Sequence, residues 1–255
     1  MSALPGVFLR LPLAHRALHD LAAGRPENSR AAIRAAIAAG YGIEIDLQLS
    51  RDARAMVFHD YDLGRLTDET GPVRARDAAE LARTPLRGGE EGIPELPEVL
   101  EIVAGRVPLL IELKDQHGQM GATDGALEAA TAAALAGYDG PVAVMSFNPE
   151  MVARMAELAP DLPRGIVTCA YTPGDWPLLR EETRAHLRAI PDYARTGACF
   201  VSHDVTDLAN PRLTELRAAG AAILCWTVRS AQVEVQARQV ADTVTFEGYL
   251  PDIPS

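Results

Sequence analysis

Eight short apolar runs, separated by helix-like and turn-rich segments along almost the whole chain, restrict the fold of this protein more than any other feature. They occupy residues 5–16, the first part of 42–60, 107–114, 141–147, 162–170, 197–203, 221–228 and 241–246. Strands that are apolar along nearly their full length are covered on both faces, and alternation with helices makes neighbouring strands parallel. Eight such units close most economically into a (β/α)8 TIM barrel, expected here as one domain over residues 1–255. An open doubly wound sheet is the other topology, but no glycine-rich dinucleotide fingerprint follows the first run.

The helical segments fall where the barrel needs them. Pro26 and Asn28 open one that Gly40 stops, and others are expected over 96–104, 123–135, from Asn148-Pro149 onward, and over 176–190, 210–219 and 231–239. The eighth helix is short or missing. After the second strand, Gly71, Pro72, Pro85, Gly88, Gly89 and Pro94 interrupt a polar stretch, which reads as a small excursion over the strand ends.

A net charge of −11 argues against a nucleic-acid backbone or an anionic membrane as partner. No apolar run reaches the 18 residues of a membrane span, and residues 1–10 lack the pattern of a secretion signal, so cytoplasm is expected. Cys169, Cys199 and Cys225 are far apart and odd in number, which suits buried free thiols.

Charged residues stand where apolar runs end. Glu44 and Asp46 alternate with Ile43, Ile45 and Leu47, so the two-residue period of a strand puts both carboxylates on one face. Such a pair repels unless a cation or a shared proton lies between them, although a solvent-facing Glu-x-Asp would look the same. Glu112 and Lys114 share a face at the end of the next strand, while His15-Arg16 and His59-Asp60 close two others. In a parallel barrel the C-terminal strand ends carry the catalytic groups. Three carboxylates suit one hard divalent cation, Ca²⁺ or Mg²⁺, and the two histidines suit a general acid and a general base. Together with Arg16 and Lys114 this combination fits phosphate-ester cleavage.

The ordered pieces HRA with PENS, GIEIDLQLSRD, VFHDYDLGRLT, PLLIELK and CWTV resemble the motif set of the glycerophosphodiester phosphodiesterase family, from Ala14 to Val228. That resemblance implies a small-molecule glycerophosphodiester substrate, cleaved to glycerol 3-phosphate and an alcohol. It implies Glu44, Asp46 and Glu112 as metal ligands, His15 and His59 as the acid/base pair, and Arg16 and Lys114 on the phosphate. Phe147 and Trp226, ending the fourth and seventh strands, are candidates to pack on the substrate, or else barrel-rim core. A partly exposed mouth could pair two copies in a homodimer.

Four positions depart from the family pattern. Ala17 replaces a glycine, Ala53 follows Asp52 where glycine is usual, Arg229 stands for an asparagine, and residues 245–251 replace the C-terminal Thr-Asp-x-Pro. They are expected on loops at the mouth, where Arg229 and Glu247 would favour a charged or unusual head group. Asp60 is a candidate to orient His59. His203 with Asp204 reads as a locally bonded rim histidine or a substrate contact, and His19, His117 and His186 as solvent-facing. A lysophospholipase D or phospholipase C-like enzyme on lipids and an inactive phosphodiester-binding barrel are the alternatives. The acidic surface and the lack of a legible apolar aromatic loop at the mouth weigh against membrane-bound substrates.

Overall fold

The computed structural model describes residues 3–254; Met1 and Ser2, part of the opening read for a secretion signal, lie outside them. Eight parallel strands run β1 (Leu13–Ala14), β2 (Gly42–Leu49), β4 (Leu109–Leu113), β5 (Val142–Ser146), β6 (Arg164–Thr168), β7 (Phe200–Asp204), β8 (Ala222–Val228) and β9 (Thr243–Phe246). Their order is β1-β9-β8-β7-β6-β5-β4-β2, and pairing of β1 with β2 closes the barrel. β3 (Ala55–Val57) folds back antiparallel on β2. Among the described residues no helix is long and apolar enough to cross a membrane.

Full-length apolarity has the expected consequence. Ile43, Ile45, Leu109 and Ile111 point outward onto helices α2 (Arg30–Ala39), α4 (Leu96–Val103) and α5 (Ala126–Leu135), burying one face of each strand. Leu13, Leu110, Phe200 and Leu224 form a separate inner cluster together with Phe8. Phe8 belongs to a short helix, α1 (Val7–Arg10), where a longer first strand is expected from the apolar run. Only Leu13 and Ala14 pair. Pro12 cannot donate to a ladder but its carbonyl accepts from Gly42 N at 3.0 Å, so the strand begins there. An apolar run is equally suited to a plug under the barrel, and α1 supplies one.

Local signals set the helix ends. Ser29, rather than Asn28, caps α2 by accepting from Ala32 N, and Gly40 at φ 80° ends it. Asn148 and Asn210 cap α6 (Pro149–Leu158) and α8 (Pro211–Ala218), each with proline in the first turn. Residues 176–180 are irregular, and α7 spans only Glu181–Ala189. α9 (Ala231–Ala237) precedes β9, and no helix follows β9 among the described residues. The excursion after β3 holds α3 (Ala78–Leu81) and short 3-10 turns around its own small core of Met56, Phe58, Leu63, Leu81 and Ile93.

Two of the unusual alanines are explained by backbone geometry. Ala17 has φ 64° and Ala53 φ 59°, the left-handed region in which a Cβ crowds the following carbonyl. Ala53 lies in the turn joining β2 to β3 and lines no part of the cavity described below. Both alanines therefore carry backbone strain. Ala17→Gly and Ala53→Gly are each expected to stabilise the fold by about 0.5–1 kcal/mol, relieved strain outweighing the entropy of glycine. Thermal unfolding should register this as a rise of about 1–4 °C per substitution; an unchanged or lower Tm would refute the strain argument.

Candidate active site

β2 and β4 are adjacent and in register, Asp46 beside Glu112, so the alternation of each strand delivers its charges to the same place inside the barrel. Ligand oxygens of Glu44, Asp46 and Glu112 lie within 4.8 Å of one another, and all three residues are buried. Lys114 Nζ bridges two of them, 2.7 Å from Asp46 Oδ1 and 2.6 Å from Glu112 Oε1. Asp46 also accepts from Asn28 Nδ2 at 3.0 Å, with Arg16 Nε 3.6 Å away. Among the described residues Glu44 accepts only the backbone N–H of Arg16, at 2.9 Å.

These surroundings separate the two carboxylates of β2. Burial raises the Glu44 pKa well above the carboxylate range, and the nearby Asp46 and Glu112 charges push it in the same direction. Burial acts on Asp46 too, but Lys114, His59, Arg16 and His15 outweigh it and hold Asp46 ionised far below its ordinary value. Desolvation works against the Lys114 ammonium, but the Asp46 and Glu112 charges and hydrogen bonds outweigh it and raise the Lys114 pKa, so the ammonium is firmly charged.

The two histidines are held alike. His15 Nδ1 lies 2.6 Å from Glu247 Oε2, and His59 Nδ1 lies 2.6 Å from Asp60 Oδ1. A carboxylate on Nδ1 fixes the proton there and leaves Nε2 as the reactive nitrogen. Arg229 Nε donates to Glu247 Oε1 at 2.7 Å, while Arg65 grips Asp60 from Nε at 2.6 Å. Arg65 also donates to Glu27, which accepts from Arg16 Nη1 at 2.8 Å. One charge network thus runs from His59 through Asp60, Arg65, Glu27 and Arg16 to the buried carboxylates. Burial lowers the His15 pKa below its ordinary 6.5, although the bond to Glu247 resists the shift.

A cavity of about 370 Å³ opens over these groups, lined by His15, His59, Glu44, Glu112 and Lys114 on its polar side. Phe147 and Trp226 line its other side, and Trp176 joins them. The rings of Phe147 and Trp226 are 5.5 Å apart edge to face, and those of Phe147 and Trp176 5.2 Å apart.

Some sequence expectations change. Glu247 is bonded to His15 and to Arg229, and the exposed Arg229 side chain itself lines the cavity. His19 does not simply face solvent, since its Nε2 is 3.7 Å from Glu247 Oε2. His203 is wholly buried, bonded to Thr168 Oγ1 at 2.6 Å and to Asp207, the local role rather than a substrate contact. Cys169 and Cys225 are buried free thiols, but Cys199 is partly exposed. The mouth does carry an apolar aromatic loop: Trp176 and Leu178, read as helix, belong to the irregular segment before α7. Glu27 and Arg65 are not singled out by the sequence, and neither is the contact of Glu247 with His15. For the first two the signal lay in the PENS and LGR pieces, whereas nothing local to Glu247 announces a partner 232 residues away.

The Glycerophosphoryl diester phosphodiesterase family model matches residues 15–246. The YhdW protein of Bacillus subtilis strain 168 is 29% identical over 245 residues, covering 91% of this chain and 93% of that one. A glycerophosphodiester phosphodiesterase of Bacillus altitudinis is 38% identical over 96 residues, 35% of this chain and 39% of that protein. Among solved structures, an Oleispira antarctica phosphodiesterase in complex with the product sn-glycerol-3-phosphate superposes with TM-score 0.75 at 23% identity, covering 94% of both chains. A Thermotoga maritima glycerophosphodiester phosphodiesterase gives 0.69 at 22% identity, covering 92% of both.

Proposed function

Because the chain belongs to the glycerophosphoryl diester phosphodiesterase family, we propose that it hydrolyses glycerophosphodiesters to glycerol 3-phosphate and an alcohol, with His15 and His59 as the acid/base pair. The observation that carries this reading is the matched pair of imidazoles, each anchored by a carboxylate at 2.6 Å, over one buried cluster of three carboxylates.

The residues fit a divalent cation. Glu44 has no cationic side-chain partner among the described residues, and Lys114 already marks the space between Asp46 and Glu112 as one that favours positive charge. Glu44, Asp46 and Glu112 would hold Ca²⁺ or Mg²⁺ through hard oxygen ligands. When bound, such an ion neutralises charge growing on the phosphoryl oxygens.

The chain's own groups do the rest. Arg16 and Lys114 hold the phosphate oxygens. One imidazole Nε2 takes the proton of the glycerol 2-hydroxyl as that oxygen attacks phosphorus, and the other protonates the departing alcohol oxygen. The cyclic phosphate so formed is opened by water with the two roles exchanged. Three unpaired cysteines support a reducing compartment, and we take the enzyme as cytoplasmic.

The test is glycerol 3-phosphate release from glycerophosphocholine, glycerophosphoethanolamine and glycerophosphoinositol, with EDTA and with Ca²⁺ or Mg²⁺ restored. Turnover that EDTA abolishes and one of the cations restores is expected. Turnover unaffected by EDTA would refute the metal role, and none on any diester would refute the function.

A further inference from the structure

The cavity over the carboxylates is two-sided, and its second side has no use in the acid/base chemistry. Phe147, Trp176 and Trp226 stand together there, with Met120, Met145 and Val167 also lining the cavity. Phe147, Trp176 and Trp226 are each partly exposed, so their rings face open space as well as one another. Trp176 is tied back by its Nε1, which donates to Cys169 Sγ at 3.2 Å.

Tyr61 lines this cavity and also a neighbouring one of about 530 Å³. Most polar groups of the second cavity are already bonded within the protein, and the exposed His117 stands beside them. Gln48 Nε2 donates to the His59 carbonyl, Gln116 Nε2 to Gln48 Oε1, and Arg74 to Asp124. What remains for a ligand is the Tyr61 ring, Pro72, Ala75 and Leu178, with His117 and Gly118 at the edge. Leu178 is 84% exposed and Tyr61 50%, on segments that reach the mouth from opposite directions in sequence. Trp176 and Leu178, two residues apart on one loop, serve one cavity each.

Bare apolar surface beside a charged site is costly unless something apolar covers it. Resting on the phosphodiesterase reading, we infer that the alcohol esterified to the phosphate carries a hydrocarbon chain, which lies along Phe147, Trp176 and Trp226 and continues past Tyr61 into the second cavity. Polarity sets the direction. The glycerol hydroxyls belong with the carboxylates, so the phosphate between Arg16 and Lys114 hands the other ester oxygen to the aromatic side. A polyol there would lose water to rings that cannot replace its hydrogen bonds.

A series of glycerophospho-n-alkyl diesters, from methyl to octyl, tests this by glycerol 3-phosphate release. Each buried methylene is expected to raise kcat/KM by about threefold to fourfold until the cavities are filled, so the octyl-to-methyl ratio should exceed about 10². Leu178→Asp, at an exposed position that does not threaten folding, should cut that ratio at least tenfold, whereas Val235→Asp, equally exposed on α9, should not. Turnover of the methyl diester with a flat series would overturn the inference and leave the phosphodiesterase reading standing. A gain seen only with 1-acyl-glycerophosphocholines, whose chain is on the glycerol, would overturn the assigned direction. No turnover of any diester would sink both.

Discussion

His59→Ala and His15→Ala should each lower kcat for glycerophosphodiester hydrolysis by about 10²–10⁴-fold, the usual contribution of a positioned general acid or base. Both side chains are partly exposed at the cavity, so neither truncation opens a large void in the core. Circular dichroism and Tm close to the parent should confirm that the loss is chemical. The double variant should be scarcely worse than the weaker single one, because the two imidazoles act on one proton-transfer sequence. A single variant retaining more than about a tenth of parental kcat would remove that histidine from the mechanism.

The pH profile adds a signed expectation. Burial is the larger influence on His15 and lowers its pKa, so the limb of kcat/KM that it controls should lie below pH 6.5. Glu247 opposes that shift by stabilising the imidazolium. Glu247→Gln should therefore move the limb to still lower pH, and should also reduce kcat, by about 10–100-fold, through loss of ring orientation. A limb that stays in place would show that Glu247 does not act through His15.

Lys114→Met should destabilise the fold by about 3–5 kcal/mol in EDTA, since it leaves Asp46 and Glu112 buried without their shared ammonium. For a chain of this size that corresponds to a fall in Tm of about 6–20 °C. Ca²⁺ or Mg²⁺ should raise the variant's Tm by more than the parent's, because the cation then replaces the charge that Lys114 supplied between Asp46 and Glu112. Calorimetry at several pH values separates the carboxylates. Asp46, with its folded pKa depressed, contributes stability that is present above its unfolded value and is lost as pH falls through the depressed one. Glu44 has the opposite sign: its raised folded pKa costs stability at neutral pH, and lowering the pH through that value recovers it. A variant whose Tm equals the parent's in EDTA would mean that Lys114 does not neutralise the cluster.

The barrel, its excursion, the three buried carboxylates and both histidines were legible from residue order because each depends on a short-range rule. A period of two places Glu44 with Asp46 and Glu112 with Lys114, and apolar runs between helices make parallel neighbours. The same rules mislead where an apolar run has two uses: residues 7–10 coil into a plug because Phe8 finds the inside of the barrel, and residues 176–180 stay irregular so that Trp176 can reach Phe147.

Which groups complete the site is a different question, and periodicity carries no information about it. His15 and Glu247 are 232 positions apart and meet only because β1 pairs with β9 to close the barrel. Arg65 reaches Asp60 and Glu27 only once the excursion has folded back over the strand ends. From residue order alone come the architecture and the charged groups at its strand ends. The imidazole tautomers, the separation of the Glu44 and Asp46 pKa values and the apolar wall opposite them were decided by tertiary structure, because hydrogen bonding, desolvation and cavity shape depend on which distant residues the closed barrel brings within a few ångströms.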